Sequence, residues 1–177
     1  MSQPVSALVI MGVAGCGKSS VSQALCQLNG AAPIEGDEFH PKANIEKMSA
    51  GIPLDDDDRA GWLERLCEEL RAAIERGQRP VLTCSALKLQ YRERLRSAVE
   101  GLGFVFLELT PAVAAVRVAH RPGHFMPQTL IDSQFATLES PSLEPRVLTL
   151  DATRLSVEEL AQAAHQWWGE HSERAVS

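Results

Sequence analysis

The sequence predicts an α/β fold, an open parallel sheet of five strands with helices on both faces. Two observations carry this. Short apolar or β-branched runs alternate along the chain with longer stretches whose apolar residues recur at helical spacing, the pattern of repeated crossover units. The first run, Ala7-Leu8-Val9-Ile10-Met11, passes through the glycine-rich octapeptide Gly12-Val13-Ala14-Gly15-Cys16-Gly17-Lys18-Ser19 directly into a helical pattern, a strand–turn–helix junction. The totals fit one soluble domain spanning residues 1–177. Hydrophobic residues make up 45% and charged residues 23%, in a chain long enough to bury about 70% of its unfolded surface.

In order, strand one is expected over Val5–Met11 and a helix from Lys18 to about Leu28. Val21, Leu25 and Leu28 share one face of that helix, and Asn29-Gly30 stops it. Strand two, Ala31–Glu35, contains Pro33, which cannot donate to a ladder and so belongs at a sheet edge. Pro41 suits a first helical turn and Gly51 a C′ position, giving a helix over Pro41–Ala50 and a loop over Gly51–Leu54. Asp55 to Asp58 then precede an amphipathic helix with Trp62, Leu63, Leu66, Leu70 and Ile74 on its apolar face, closed by Gly77. This acidic run invites a metal-site reading, but capping and favourable charge at a helix N-terminus account for most of it.

Strand three is expected over Val81–Cys84, with Ser85 as the N-cap of a helix through Leu87, Tyr91, Leu95 and Ala98. Strand four is Phe104–Leu109. Thr110 caps and Pro111 opens a helix to Arg121, broken by Pro122-Gly123, and Pro127 opens another with Leu130, Ile131, Phe135 and Leu138 on one face. Strand five is Arg146–Leu150. Ser156-Val157-Glu158-Glu159 is a capping box for a last helix through Leu160, Ala164 and Trp168, with residues 170–177 as a frayed polar tail.

A net charge of −6 argues against general nucleic-acid or membrane-surface binding, since either needs a basic face. Cys16, Cys26, Cys67 and Cys84 show no C-x-x-C spacing and read as reduced thiols. The N-terminus has no basic n-region, and its apolar run is too short for a signal sequence or a membrane span. These features point to the cytoplasm.

The octapeptide matches G-x-x-x-x-G-K-[ST]. Its glycines let successive N–H groups converge on an anion at a helix N-terminus. Gly12 through Ser19, with Ser20 beside them, should therefore hold a nucleoside triphosphate, Lys18 reaching the β- and γ-phosphates and Ser19 ligating Mg²⁺. Further candidates lie at strand ends, which border the ligand crevice of an open α/β sheet. Asp37, with His40, follows strand two and can orient an acceptor hydroxyl and take its proton; it can equally cap a turn. Arg59 and Lys88 stand near helix starts, the unfavourable end for a cation; Arg59 can hold a substrate carboxylate or pair with the neighbouring aspartates, and Lys88 can reach the crevice or be a solvated lysine on a helix that also carries Arg92, Arg94 and Arg96. Arg117 and Arg121 share a helix face before Pro122-Gly123, the layout of a lid over about residues 117–138. Asp58-Arg59-Ala60-Gly61 matches the D-x-x-G of nucleotide switches, but it follows an acidic loop rather than a strand, and no N/T-K-x-D guanine-reading motif is present.

Together with the phosphate loop, four segments resemble the bacterial-type gluconokinases: Gly36-Asp37-x-x-His40-Pro41-x-x-Asn44-Ile45-Glu46-Lys47-Met48; Gly51-x-Pro53-Leu54-x-Asp56-Asp57-Asp58-Arg59-x-x-Trp62-Leu63; Cys84-Ser85-Ala86-Leu87-Lys88-x-x-Tyr91-Arg92; and His124-Phe125 with Ser133-Gln134-Phe135-x-x-Leu138-Glu139. The resemblance implies a three-layer P-loop kinase fold with strand order 2-3-1-4-5, a homodimer, and transfer of phosphate from ATP to the 6-hydroxyl of D-gluconate. It also implies Asp37, His40, Arg59 and Lys88 facing gluconate, Arg117 and Arg121 as lid arginines, and His124 and Gln134 on the lid's substrate side. Two features depart from common patterns. Strand three ends Thr83-Cys84-Ser85 without a Walker B aspartate, leaving Mg²⁺ to Ser19, phosphate oxygens and water. Cys16, an oxidisable thiol, stands where such loops often carry serine.

Overall fold

The computed structural model describes residues 4–120 and 127–172. Five strands, β1 (Ala7–Met11), β2 (Ala32–Glu35), β3 (Pro80–Thr83), β4 (Leu102–Glu108) and β5 (Val147–Asp151), form one sheet in the order β2-β3-β1-β4-β5. Every pairing is parallel. Among the described residues seven α-helices connect and flank them: α1 (Lys18–Asn29), α2 (Lys42–Ser49), α3 (Asp56–Glu75), α4 (Leu89–Ala98), α5 (Pro111–Ala119), α6 (Gln128–Thr137) and α7 (Val157–Ser172). Pro33 sits in edge strand β2 as its missing donor requires.

β1 is central and buried along its length. Its alternation divides the core. Leu8 and Ile10 face a layer with Val21 and Leu25 of α1, Val118 of α5 and Leu160 and Trp168 of α7. Ala7, Val9 and Met11 face the other layer, with Trp62, Leu66 and Leu70 of α3 and Tyr91 and Leu95 of α4. A strand buried on both sides reads as a continuous apolar run, and each large side chain so buried contributes roughly 1.5–3 kcal/mol.

The N-termini follow local chemistry. Asp55 caps α3 by accepting from the Asp58 N–H at 2.8 Å, while the Asp58 carboxylate accepts from the Asp55 N–H at 3.0 Å. Ser156 and Glu159 form the same reciprocal pair at α7, and Thr110 accepts from Val113 N–H at α5. Capping thus explains Asp55 and Asp58, though not Asp56.

Several expectations are corrected. Ser85 does not cap α4. The chain makes a turn over Cys84–Lys88 with Ala86 at φ 47°, Lys88 takes the N-cap position, and the Ser85 carbonyl instead accepts the Gly12 N–H at 3.3 Å. Pro41 and Pro127 are N-cap residues rather than first helical residues. Leu28 and Ile74, assigned by spacing to buried faces, are 44% and 37% exposed, each in the last turn of its helix. The last helix continues through Gly169 to Ser172, tied to the sheet by Trp168 Nε1–H to Val5 O at 3.0 Å and Val5 N–H to His171 O at 2.8 Å. Trp168 is therefore core, and Trp167 packs partly buried against it.

Candidate active site

The phosphate loop leaves β1 at Met11 and ends where Lys18 opens α1, so the free N–H groups of the first turn of α1 border it. Gly15 adopts φ +84°, and an added Cβ there would lie 3.0 Å from Ala114 O and Val118 Cγ2. Glycine is thus required both by conformation and by the close approach of α5, which carries Arg117 in its last turn. The Lys18 ammonium donates to Gly12 O at 3.0 Å and Val13 O at 3.2 Å. Gln134 of α6 reaches the other side of the loop, accepting the Ala14 N–H at 2.7 Å.

Glu35, at the carboxyl end of β2, closes this half of the site. One of its oxygens, Oε2, accepts from Ser19 Oγ at 2.8 Å and from Thr83 Oγ1 at 2.9 Å. The ends of β2 and β3 and the start of α1 therefore meet at a carboxylate. Sequence reasoning missed it, since a lone glutamate before Gly36 carries no local signal; the only hint was its place at a strand end.

The second half forms around the turn Gly36–Phe39 after β2. Gly36 is buried, and its carbonyl accepts the Trp62 indole N–H at 2.8 Å. The Asp37 side chain stands in solvent, 88% exposed, whereas that of His40 is 5% exposed. The His40 ring stacks on Trp62 with centroids 4.1 Å apart. Asn44 Nδ2 lies 3.2 Å from His40 Nδ1 and also donates to Asp58 O at 2.9 Å. An amide nitrogen can only donate, so Nδ1 accepts and the ring proton sits on Nε2, 3.9 Å from Asp37 Oδ1. Burial lowers the His40 pKa; Asp37 opposes this and Arg59 adds to it. His40 therefore joins the site as a neutral donor.

Arg59 and Lys88 supply the cations, and they lie together. Arg59 Nη1 donates to Leu54 O at 2.9 Å and to Tyr91 Oη at 3.1 Å. The Tyr91 hydroxyl donates to Asp56 Oδ1, which also accepts from Lys88 Nζ at 2.9 Å. Hydrogen bonds from Lys88 and Tyr91 hold Asp56 at a pKa of about 2, and Asp56 in turn raises Lys88. Asp56 is half-exposed, so this pairing orders Lys88 more than it stabilises the fold.

The two halves share a floor. Cys84, buried at the end of β3, is pushed up to about 12 by burial, and the charges of Asp37, Lys18 and Arg59 all act on it. Arg121 and His124 lie outside the described residues. On the far side of the phosphate loop a cavity of about 520 Å³ opens between the ends of β4 and β5 and α6, lined among others by Val13, Thr110, Phe135, Asp151, Thr153 and Arg154. Among the described residues no group of three His, Cys, Asp or Glu side chains is placed to hold a metal ion. Asp58–Gly61 lies within α3, not after a strand as a switch motif requires.

A family model described as an AAA domain matches residues 8–141. A gluconokinase of Gluconobacter oxydans is 45% identical over 83% of each chain. The thermoresistant gluconokinase of Escherichia coli is 40% identical over 81% of this chain and 82% of its own. The chain belongs to the gluconokinase family. Solved structures agree: a gluconokinase from Sinorhizobium meliloti superposes with a TM-score of 0.85 at 43% identity, covering 97% of this chain and 95% of that one. A sugar kinase from Janibacter superposes at 0.87 and 38% identity, covering 94% and 95%.

In this member of the gluconokinase family the side chains fall into groups. Lys18, Ser19 and Gln134 border the phosphate loop, His40 lies beside Asp37, and Arg59 and Lys88 meet at Tyr91 and Asp56. Tyr91 and Asp56 are the members that spacing did not single out, because they meet only when α3 and α4 pack side by side.

Proposed function

We propose that this chain transfers the γ-phosphoryl group of ATP to the 6-hydroxyl of D-gluconate, releasing ADP and 6-phosphogluconate. The observation that carries the reading is the convergence of Arg59 and Lys88 on Tyr91 and Asp56, with the helix that bears Arg59 bonded through Trp62 to the Gly36–Phe39 turn. A mostly acidic protein has gathered separate cations for two anionic reactants. Backbone N–H groups of Gly15, Gly17 and the start of α1 cradle the phosphates within the Gly12–Ser19 loop, with Ser19 and Ser20 at the first turn. Lys18 neutralises charge on the bridging and γ-oxygens as it builds up. Arg59 and Lys88 hold the gluconate carboxylate. Neutral His40 donates to a substrate hydroxyl, and exposed Asp37 orients the 6-hydroxyl and takes its proton. Arg117, with Arg121, serves the transferring group from a lid over about residues 117–138 that excludes competing water, with His124 and Gln134 assigned to the substrate. The cavity beside Asp151 and Arg154 suits the adenine ring.

The oxygens of Ser19, Glu35 and Thr83 form the hard donor set that Mg²⁺ prefers. Ser19 would ligate it directly and Glu35 through water. When bound, the ion supplies positive charge to the phosphate oxygens. Glu35→Gln should raise the Mg²⁺ concentration for half-maximal activity about tenfold, and weaken Mn²⁺ binding by a similar factor in a spectroscopic titration. An unchanged titration removes Glu35 from the metal site. The reading extends to a cytoplasmic enzyme, in keeping with four cysteines that are all free thiols, and to a homodimer.

A coupled assay of ADP release tests the function. Gluconate should exceed shikimate, nucleoside monophosphates and water as acceptor by at least about a hundredfold in kcat/KM. Equal turnover with any of these overturns the assignment.

A further inference from the structure

The backbone on either side of Lys88 is held from a distant part of the chain. Ala86 at φ 47° is in a conformation that costs a non-glycine residue about 1–2 kcal/mol, so the turn needs outside support. α4, which begins directly after Lys88, has no side-chain cap of its own. Both needs are met by Glu139, just beyond α6. Its backbone N–H donates to Leu87 O at 2.8 Å. Its carboxylate accepts the Leu89 N–H at 2.7 Å, 50 residues away in sequence, a cap supplied in trans where the helix dipole favours negative charge. Its carbonyl is held at 2.8 Å by Arg92. Arg92 is fully buried, also donates to Ala86 O at 2.7 Å, and grips both carboxylate oxygens of Glu144 at 2.6 and 3.0 Å. Glu139 therefore bonds both chain neighbours of Lys88, and α6, which leads into Glu139, bonds the phosphate loop through Gln134.

We propose that Glu139 is a positioning residue for the sugar acid: by capping α4 in trans and bonding both neighbours of Lys88, it fixes where the Lys88 ammonium stands relative to the phosphate loop. This rests on the reading that Lys88 meets the gluconate carboxylate. The Leu87 bond is a backbone contact and survives substitution. The capping bond does not survive Glu139→Ala, whereas Glu139→Gln retains an acceptor oxygen on a side chain of the same length.

The experiment compares the wild-type chain with Glu139→Ala and Glu139→Gln in steady-state kinetics with each substrate varied, and in thermal melting. Glu139→Ala should raise the gluconate KM about tenfold while leaving the ATP KM and kcat within about twofold. Glu139→Gln should recover the gluconate KM to within about threefold of wild type; Glu139→Ala should melt a few degrees lower, as the loss of a helix cap implies, while staying folded at the assay temperature. An unmoved gluconate KM in Glu139→Ala, equal rises for both substrates, or a glutamine variant as impaired as the alanine variant overturns the positioning role. A wild-type chain that does not phosphorylate gluconate overturns the functional reading itself, and is told apart by the first measurement.

Discussion

Lys18→Ala should leave a folded protein whose kcat/KM for phosphoryl transfer is down by at least about a thousandfold, or roughly 4 kcal/mol of transition-state stabilisation. The loss is large because charge on the transferring group builds up in a site bordered by backbone N–H groups, where a fixed ammonium acts without reorganising. Stability should change little. Lys18 opens α1, the end where the helix dipole disfavours a cation, and its two hydrogen bonds go to Gly12 and Val13 carbonyls at a half-exposed position. Matched melting curves with lost turnover support the assignment. Retained turnover removes Lys18 from the chemistry, and a collapsed melting temperature would show that its role is structural.

Which parts of this site could be read from sequence depends on how far apart the interacting residues lie. The phosphate loop is legible because its chemistry is contained in eight consecutive residues and its flanks. The capping boxes of α3 and α7 are legible for the same reason, their partners being three residues apart, and Pro33 marks an edge by what one residue lacks. Features built across the chain are not. Ser85 has the composition of an N-cap, yet its carbonyl is taken by Gly12 and the cap comes from Glu139. Asp56 sits in an acidic run like its neighbours, and only the packing of α4 on α3 gives it Lys88 and Tyr91. Arg92 looks like one of several basic residues on an exposed face, whereas its turn of α4 carries it into the interior with Tyr91 and Leu95. Arg59 and Lys88 are legible as cations at unfavourable helix starts, but the neutrality of His40 follows from burial against Trp62, which no spacing reveals.

Gly36→Ala should combine a loss of about 2–3 kcal/mol in stability with a fall of more than about a hundredfold in kcat/KM for gluconate. The glycine carries no unusual φ; what requires it is space. An added Cβ would lie 2.2 Å from the Thr83 carbonyl oxygen, a backbone atom of β3 that cannot rotate away. The Gly36–Phe39 turn must then lift from β3, stretching the Trp62 indole bond to Gly36 O and the Gly36 N–H contact with Thr83 Oγ1, 2.8 and 3.4 Å in the native chain. Glu35 precedes that turn, Asp37 lies in it and His40 follows it, so one methyl group displaces residues from both halves of the site. Displacements of about 1 Å can cost about a hundredfold in rate where reactants must be aligned. Urea unfolding with steady-state kinetics checks this, and the two readouts must move together. A variant with wild-type gluconate kinetics would mean that the turn does not place Asp37 and His40 for the acceptor. A variant destabilised but fully active at low temperature would confine Gly36 to packing.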